Sequence, residues 1–321
     1  MPDPPFAPPI EPPLPTWPSD PVYEQLLDLA LHPDYAIRRA VASKEDCPVR
    51  LLLLLAQDSH PAVLYNVAAN KNCPPEVLAQ LVDKPGGRQG VLRNPDCPPE
   101  LIQQLAKDEN KTIRREVAQN SNCPPQVFAQ LVEDKDIDVR RDIASNPSCP
   151  PEILDILLRD DDHNVRQGLV SNPLCPSRIR AQLAKDEDWR VRAELAGSRN
   201  CPPELMAQLM LDARDAVQMR AVRNWFYTPE ALYRLVPPDS FAVLSLIAER
   251  AECSAELLAR LAQTKNARVR WTVAEHPHCP PEALVQLIHD EDETVRQVAG
   301  KAALHRQDVP DHIKAMVVLS R

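Results

Sequence analysis

The stretch CPPELIQQLAKDENKTIRREVAQNSN, residues 97–122, is written along the chain repeatedly with small changes. A cysteine opens each copy, at Cys47, Cys73, Cys97, Cys123, Cys149, Cys175, Cys201, Cys253 and Cys279. The spacing is 26 residues, except 24 from Cys73 to Cys97 and 52 from Cys201 to Cys253. The long gap is two periods. Its midpoint, Tyr227, opens Tyr-Thr-Pro-Glu where most copies have Cys-Pro-Pro-Glu. A fixed period of this size marks a stacked array, in which each repeat buries its apolar face against its neighbours.

Each copy reads as two short helices. The first starts at Pro-Pro-Glu, where proline is tolerated because a first-turn N–H has no partner anyway. Glu76, Glu100, Glu152, Glu204, Glu230, Glu256 and Glu282 are spaced to reach back to a free backbone N–H, as in a capping box. Leu101, Ile102, Leu105 and Ala106 then form one apolar face. An acidic turn such as Asp108-Glu-Asn follows, and the second helix carries Val-Arg-x-x-Val-Ala or a close relative. It stops at Asn70, Asn94, Asn120, Asn146, Asn172 and Asn224, a residue that tolerates the left-handed conformation common at helix ends. In the short copy at Cys73, Lys84-Pro-Gly-Gly replaces the acidic turn.

The array therefore divides as follows. Residues 1–20 hold nine prolines, which exclude helix and favour the extended polyproline form. They read as a disordered tail, as a strip on the first repeat, or as a ligand for a proline-recognising groove. Residues 21–46 are a degenerate amino-terminal cap, residues 47–304 are ten repeats, and residues 305–321 are a carboxy-terminal cap with a helix from His312 to Ser320. A single core rarely exceeds ~300 residues, but an array escapes that limit, so 21–321 is expected to be one elongated domain.

The chain has a net charge of −9 and a pI near 5.4, which disfavours bulk nucleic-acid binding. No apolar run reaches the ~20 residues that span a membrane, and no secretory leader is visible. The expected setting is a reducing cytoplasm. Cysteines in successive layers, ~8–10 Å apart, are too distant for disulfides, which need Cα atoms within ~7 Å.

The C-P-P-E-h-L-x-x-L-x-x-D-x-x-x-x-V-R-x-x-h-A-x-N pattern across residues 21–304 resembles the leucine-rich repeat variant family. That resemblance implies an all-α, right-handed helical solenoid, with α and 3₁₀ helices alternating and no β-strand despite the family's name. It implies no established catalytic activity. Some members hold an iron–sulfur centre on an amino-terminal cysteine cluster, but residues 1–46 contain no cysteine, so that site does not carry over. HEAT repeats share the Asp…Val-Arg second helix but have a period of ~40–47 residues.

Several constellations could carry function. The cysteines show no paired spacing of the kind zinc requires, and read as small apolar residues ahead of each first helix. His276, His278, Cys279 and His289 cluster without a metal-ligand spacing. Seventeen residues after each cysteine comes an arginine: Arg114, Arg140, Arg166, Arg192, Arg270 and Arg296, with Arg38 and Arg88 equivalent. Eleven after each comes an aspartate: Asp58, Asp108, Asp134, Asp160, Asp186, Asp212 and Asp290. The arginines could grip phosphates or an acidic partner. The equal periodicity of both signs favours pairing between layers. The pattern lapses between Asp212 and Ala251, where Gln218 and Leu244 replace the arginine and Pro237-Pro238 the acidic turn. There Trp225, Phe226, Tyr227, Tyr233 and Phe241 crowd together, as repacked core or as an aromatic-anchored contact site.

No phosphate-cradling, dinucleotide, zincin or nucleophile-elbow motif is present. The expected function is a non-catalytic scaffold for a protein partner, with no cofactor or metal. A second reading is an enzyme on a helical solenoid, of DNA alkyl-base glycosylase or bilin lyase type, using Trp189, Trp225 and Asp188. A third is a thiol or metal protein.

Overall fold

The computed structural model describes residues 21–319. The proline-rich segment 1–20 and the final residues of the closing segment lie outside the described residues. Every helix described is α, no strand occurs among the described residues, and helices recur in pairs every 26 residues, or 24 between Pro75 and Pro99. The chain is an all-α repeat solenoid. The described residues fall into two compact units, one ending at Val127 and the other beginning at Phe128, with the division inside helix Pro125–Leu131.

Both units use the same layer. Its first helix is mostly seven residues long, as in Pro99–Leu105, and its second mostly nine, as in Lys111–Gln119. Isolated helices below ~12–15 residues are marginal in water, so burial must hold them. In the first helix of the Cys97 repeat, Leu101, Ile102, Leu105 and the following Ala106 are buried, and in the second Ile113, Val117 and Ala118. At ~1.5–3 kcal/mol per large side chain, that burial, shared between neighbouring layers, is what the short helices depend on. Within each unit, consecutive second helices pack chiefly on one another, and first helices far less.

Where second helices pack most closely, a glycine stands at the contact. A Cβ added at Gly168 would lie 2.7 Å from the carbonyl oxygen of Arg141 and 2.9 Å from the Cβ of Ala144, one layer back. Gly86 serves differently. It has φ +81°, heads helix Gly87–Arg93, and lets Lys84-Pro-Gly-Gly close the shortened turn. Lys84 Nζ donates to the carbonyl of Ala56 at 2.9 Å.

The local signals depart from expectation in three ways. The glutamates form no capping box. The N-cap is the first proline of Cys-Pro-Pro, as at Pro74 and Pro150, so the glutamate sits one place too early to reach back, and no side chain caps the helix. Side-chain caps form where that proline is replaced: Thr228 accepts from Ala231 N and Ser254 from Leu257 N. Next, the helix-ending asparagines are extended, not left-handed; Asn70 has φ −71° and ψ 129°, and among the described residues Gly86 alone has positive φ. Finally, i→i+3 bonds appear in turns and at helix starts, as in Cys123 N to Asn120 O and Leu101 N to Pro98 O, and no separate 3₁₀ helix occurs among the described residues. The closing helix runs Asp311–Leu319, after a thirteen-residue helix Glu293–His305.

Candidate docking surface at the Trp225 turn

Two polar ladders account for most of the periodic side chains, and the candidate surface lies where both are altered. The first is made by asparagine. Asn172 Nδ2 donates to the carbonyls of Ala144 at 3.0 Å and Asn146 at 2.8 Å, one layer back, while its Oδ1 accepts from Leu174 N. Asn70, Asn94 and Asn224 repeat this pattern. An extended asparagine is what this needs, because its side chain must reach the preceding turn.

The second ladder joins each arginine to the aspartate twenty residues on. Arg166 Nε and Nη2 donate to Asp186 at 2.7 and 2.9 Å, and Nη1 donates to the carbonyl of Asp160 at 2.7 Å. Arg38–Asp58, Arg140–Asp160, Arg192–Asp212 and Arg270–Asp290 have the same bidentate geometry. Arg88 makes one such bond, to Asp108. Arg114 is buried and donates to the carbonyls of Asp108 and Glu109. Arg296 is exposed, and donates only through Nη1, to the carbonyls of Asp290 and Glu291. Each aspartate also accepts the N–H two residues on, as Asp186 does from Asp188. Hydrogen bonding from Arg38 and Arg270 holds Asp58 and Asp290 below the ordinary aspartate range. The pairing leaves a trace in the sequence: where the arginine is replaced, at Leu64, Gln218 and Leu244, position i+20 is Lys84, Pro238 and Thr264. Gln218 keeps half of the role, donating to the carbonyl of Asp212 at 2.7 Å.

In this lapsed region the five aromatics separate. Tyr227 fills the cysteine slot, half-buried, and its hydroxyl donates to the carbonyl of Cys201 at 2.7 Å. Tyr233 and Phe241 are half-buried in the two helices that follow. Trp225 is 78% exposed and Phe226 43% exposed, with ring centroids 4.5 Å apart. The Arg199 guanidinium lies 5.9 Å from the Phe226 ring, close enough for a cation–π contact. Trp225 borders a groove of about 280 Å³, whose apolar wall is Met219, Val222 and Leu246 and whose rim is Arg223, Glu249, Arg250 and Glu252. Arg250 holds the asparagine position; its Nη1 donates to the carbonyls of Val222, Asn224 and Tyr227. These lining residues were missed, although one period added to 225 gives 251, in register with the 249–252 rim.

The other candidates are placed as follows. His276 also replaces an asparagine: Nδ1 accepts from His278 N and Nε2 faces the carbonyl of Arg250 at 3.0 Å, which fits a proton on Nε2. All nine cysteines are buried, and burial pushes thiols such as Cys123 and Cys201 up to about 12. Among the described residues, no group of three or more His, Cys, Asp and Glu is placed to hold a metal ion. Asp188 caps helix Trp189–Gly197 by accepting from Arg190 N. Burial raises its carboxyl, but the Arg190 N–H and guanidinium outweigh that and lower it. Neither Asp188 nor Trp189 lines the Trp225 groove. No helix among the described residues is long and apolar enough to cross a membrane.

Comparison with known proteins adds a family. The leucine rich repeat variant model matches residues 267–292, one period of the array. A solved structure described as "a leucine-rich repeat variant with a novel repetitive protein structural motif" is similar at 21% identity, covering 77% of this chain and 88% of its own, with a TM-score of 0.43. A search of curated proteins returns no significant match.

Proposed function

We propose that this leucine rich repeat variant protein is a non-catalytic scaffold that docks a protein partner at the Trp225 turn. The carrying observation is the exposure of Trp225, 78%, beside a groove with an apolar wall and a charged rim, in the region where both ladders change. A surface of near-identical repeats gives a partner poor register, so a unique partner needs a landmark. Tryptophan is enriched among interface anchors, and truncating one can cost ~2 kcal/mol or more of binding. The regular arginines are a poorer docking surface, because most turn their guanidinium edge to an aspartate of the neighbouring layer. A net charge of −9 favours a protein partner over nucleic acid.

The test is capture from the native host with mass-spectrometric identification, using the parent chain, Trp225→Ala and Trp271→Ala. The expected result is selective loss of a partner with Trp225→Ala, at unchanged helical content by circular dichroism. Equal capture by all three chains places docking elsewhere.

A further inference from the structure

The arginine ladder ends unfinished. Arg296 is its last member, and twenty places on, where an aspartate takes the fork of Arg140, Arg166 or Arg270, stands Met316 inside the closing helix. We infer that the open fork of Arg296 heads a binding site for a small organic carboxylate with an apolar body. The site is separate from the Trp225 turn and goes beyond the docking reading.

The acidic residues nearest to Arg296 in the chain are engaged elsewhere. Asp290 accepts from Nε and Nη2 of Arg270 at 2.7 and 2.8 Å, and Glu291 lies 3.1 Å from the same Nη2. Asp292 caps helix Glu293–His305 by accepting from Thr294 N and Val295 N. Glu293 accepts from Gln297 Nε2 at 3.1 Å. Arg296 itself donates through Nη1 to the carbonyls of Asp290 and Glu291 at 2.7 and 2.9 Å. Arg166 is anchored in the same way, by the carbonyls of Asp160 and Asp161, while its other edge holds Asp186. At Arg296 the anchor is present, and no carboxylate meets Nε or Nη2 among the described residues. Two parallel N–H donors fit a carboxylate bidentately, and a fork already held in place lowers the ordering cost of binding.

The space beside the fork is the second argument. Arg296 lines a cavity of about 740 Å³, a size usual for small-molecule sites. The fixed charges in its lining are Arg296, Lys301 and Glu293, one net positive charge. Lys301 is exposed and has no salt-bridge partner among the described residues. That balance suits a monoanion better than a phosphate dianion. Ile288, Met316 and Val317 give the same cavity an apolar wall, where the body of such an acid would leave water.

The test is equilibrium dialysis of the full chain against radiolabelled hexanoate at fixed ionic strength. One saturable site is expected. Hexanamide, of the same shape without the charge, should not compete, and inorganic phosphate should compete at least about tenfold less well than unlabelled hexanoate. Arg296→Ala is expected to raise the Kd at least about tenfold. Arg296→Lys should also raise it, by less, because it keeps the charge and loses the fork. Arg234→Ala removes an exposed arginine of helix Pro229–Leu235, outside this cavity, and should leave the Kd unchanged. Circular dichroism controls for folding, and the exposure of Arg296 makes unfolding an unexpected result. Absence of saturable binding, a Kd indifferent to Arg296→Ala, or a loss matched by Arg234→Ala overturns the inference. Arg296→Lys binding as tightly as the parent would remove the fork from the site, and phosphate or hexanamide competing as well as hexanoate would remove the carboxylate; either result overturns it too.

Discussion

Arg166 and Arg296 occupy the same place in their repeats, yet the array asks different things of them. The Arg166 side chain and its Asp186 partner are both buried, and removing one member of such a pair strands the other charge at a cost of ~3–5 kcal/mol. Arg296 is exposed and meets only carbonyls. Arg166→Ala is therefore expected to lower stability by about 3 kcal/mol and Arg296→Ala by less than about 1, read from denaturant midpoints; equal losses would remove the ladder from the account of stability. Leu131→Ala, in a fully buried core position, should cost roughly 2–5 kcal/mol, and more than Arg140→Ala, whose guanidinium is partly solvated. Asn172 makes a third case. It is fully buried and serves two carbonyls of the preceding turn. Leaving buried acceptors unpaired costs ~1–3 kcal/mol each, so Asn172→Ala should be among the most damaging polar substitutions, and Asn172→His, after the precedent of His276, the milder one.

At the scale of the helix, the second helices carry the stack. Gly168→Ala would press a methyl into the Arg141 carbonyl, which is backbone and cannot swing aside. The intrinsic gain of alanine over glycine in a helix, ~1 kcal/mol, should be reversed, giving a net destabilisation of about 1–3 kcal/mol; a more stable variant would mean that the helices separate cheaply. Much at this scale was legible in the chain itself. The period, the apolar faces and the two-helix layer follow from spacing alone, because a 26-residue register repeats every contact. The capping detail was not legible, since a shift of one place decides whether Glu76 can reach back, and a proline N-cap sets that shift. The extended asparagines were misread because their role lies in the preceding layer, not in their own helix. The arginine and aspartate periodicities were visible, but the direction of their pairing became clear only from the twenty-residue offset. The exposure of Trp225 was a different kind of unknown: a turn residue's burial depends on what the adjacent turns place beside it, and one sequence leaves that open.

Across the whole molecule, stability should be limited at both ends of the pH scale. Asp58 and Asp290 are lowered by their arginines, and Asp212 is lowered because Arg192 and the Arg214 N–H outweigh its burial. A depressed carboxylate contributes stability above its unfolded value near 3.8 and loses it as pH falls further. The thiols act in the opposite sense. Burial raises Cys47, Cys97 and Cys279 to about 11, and Cys73, Cys123, Cys201 and Cys253 to about 12, from 9.0. A raised thiol contributes stability fully below 9.0 and loses it as pH climbs toward 11 to 12. Denaturant midpoints should therefore be flat from about pH 5 to pH 8 and fall on either side; a steep change inside that window would point to other groups. The constant offset between guanidinium and carboxylate bears on how such a chain can grow. A regular 26-residue window, cut at any point, carries one arginine and one aspartate that pair with their counterparts in like windows, as Arg140 does with Asp160 and Arg166 with Asp186. Recombination in the gene can thus add or delete whole windows without stranding a charge, and length becomes a quantised trait. The 24-residue window bears this out from the other side, for it falls where Leu64 and Lys84 have dispensed with the pair: a window can change size where nothing measures it.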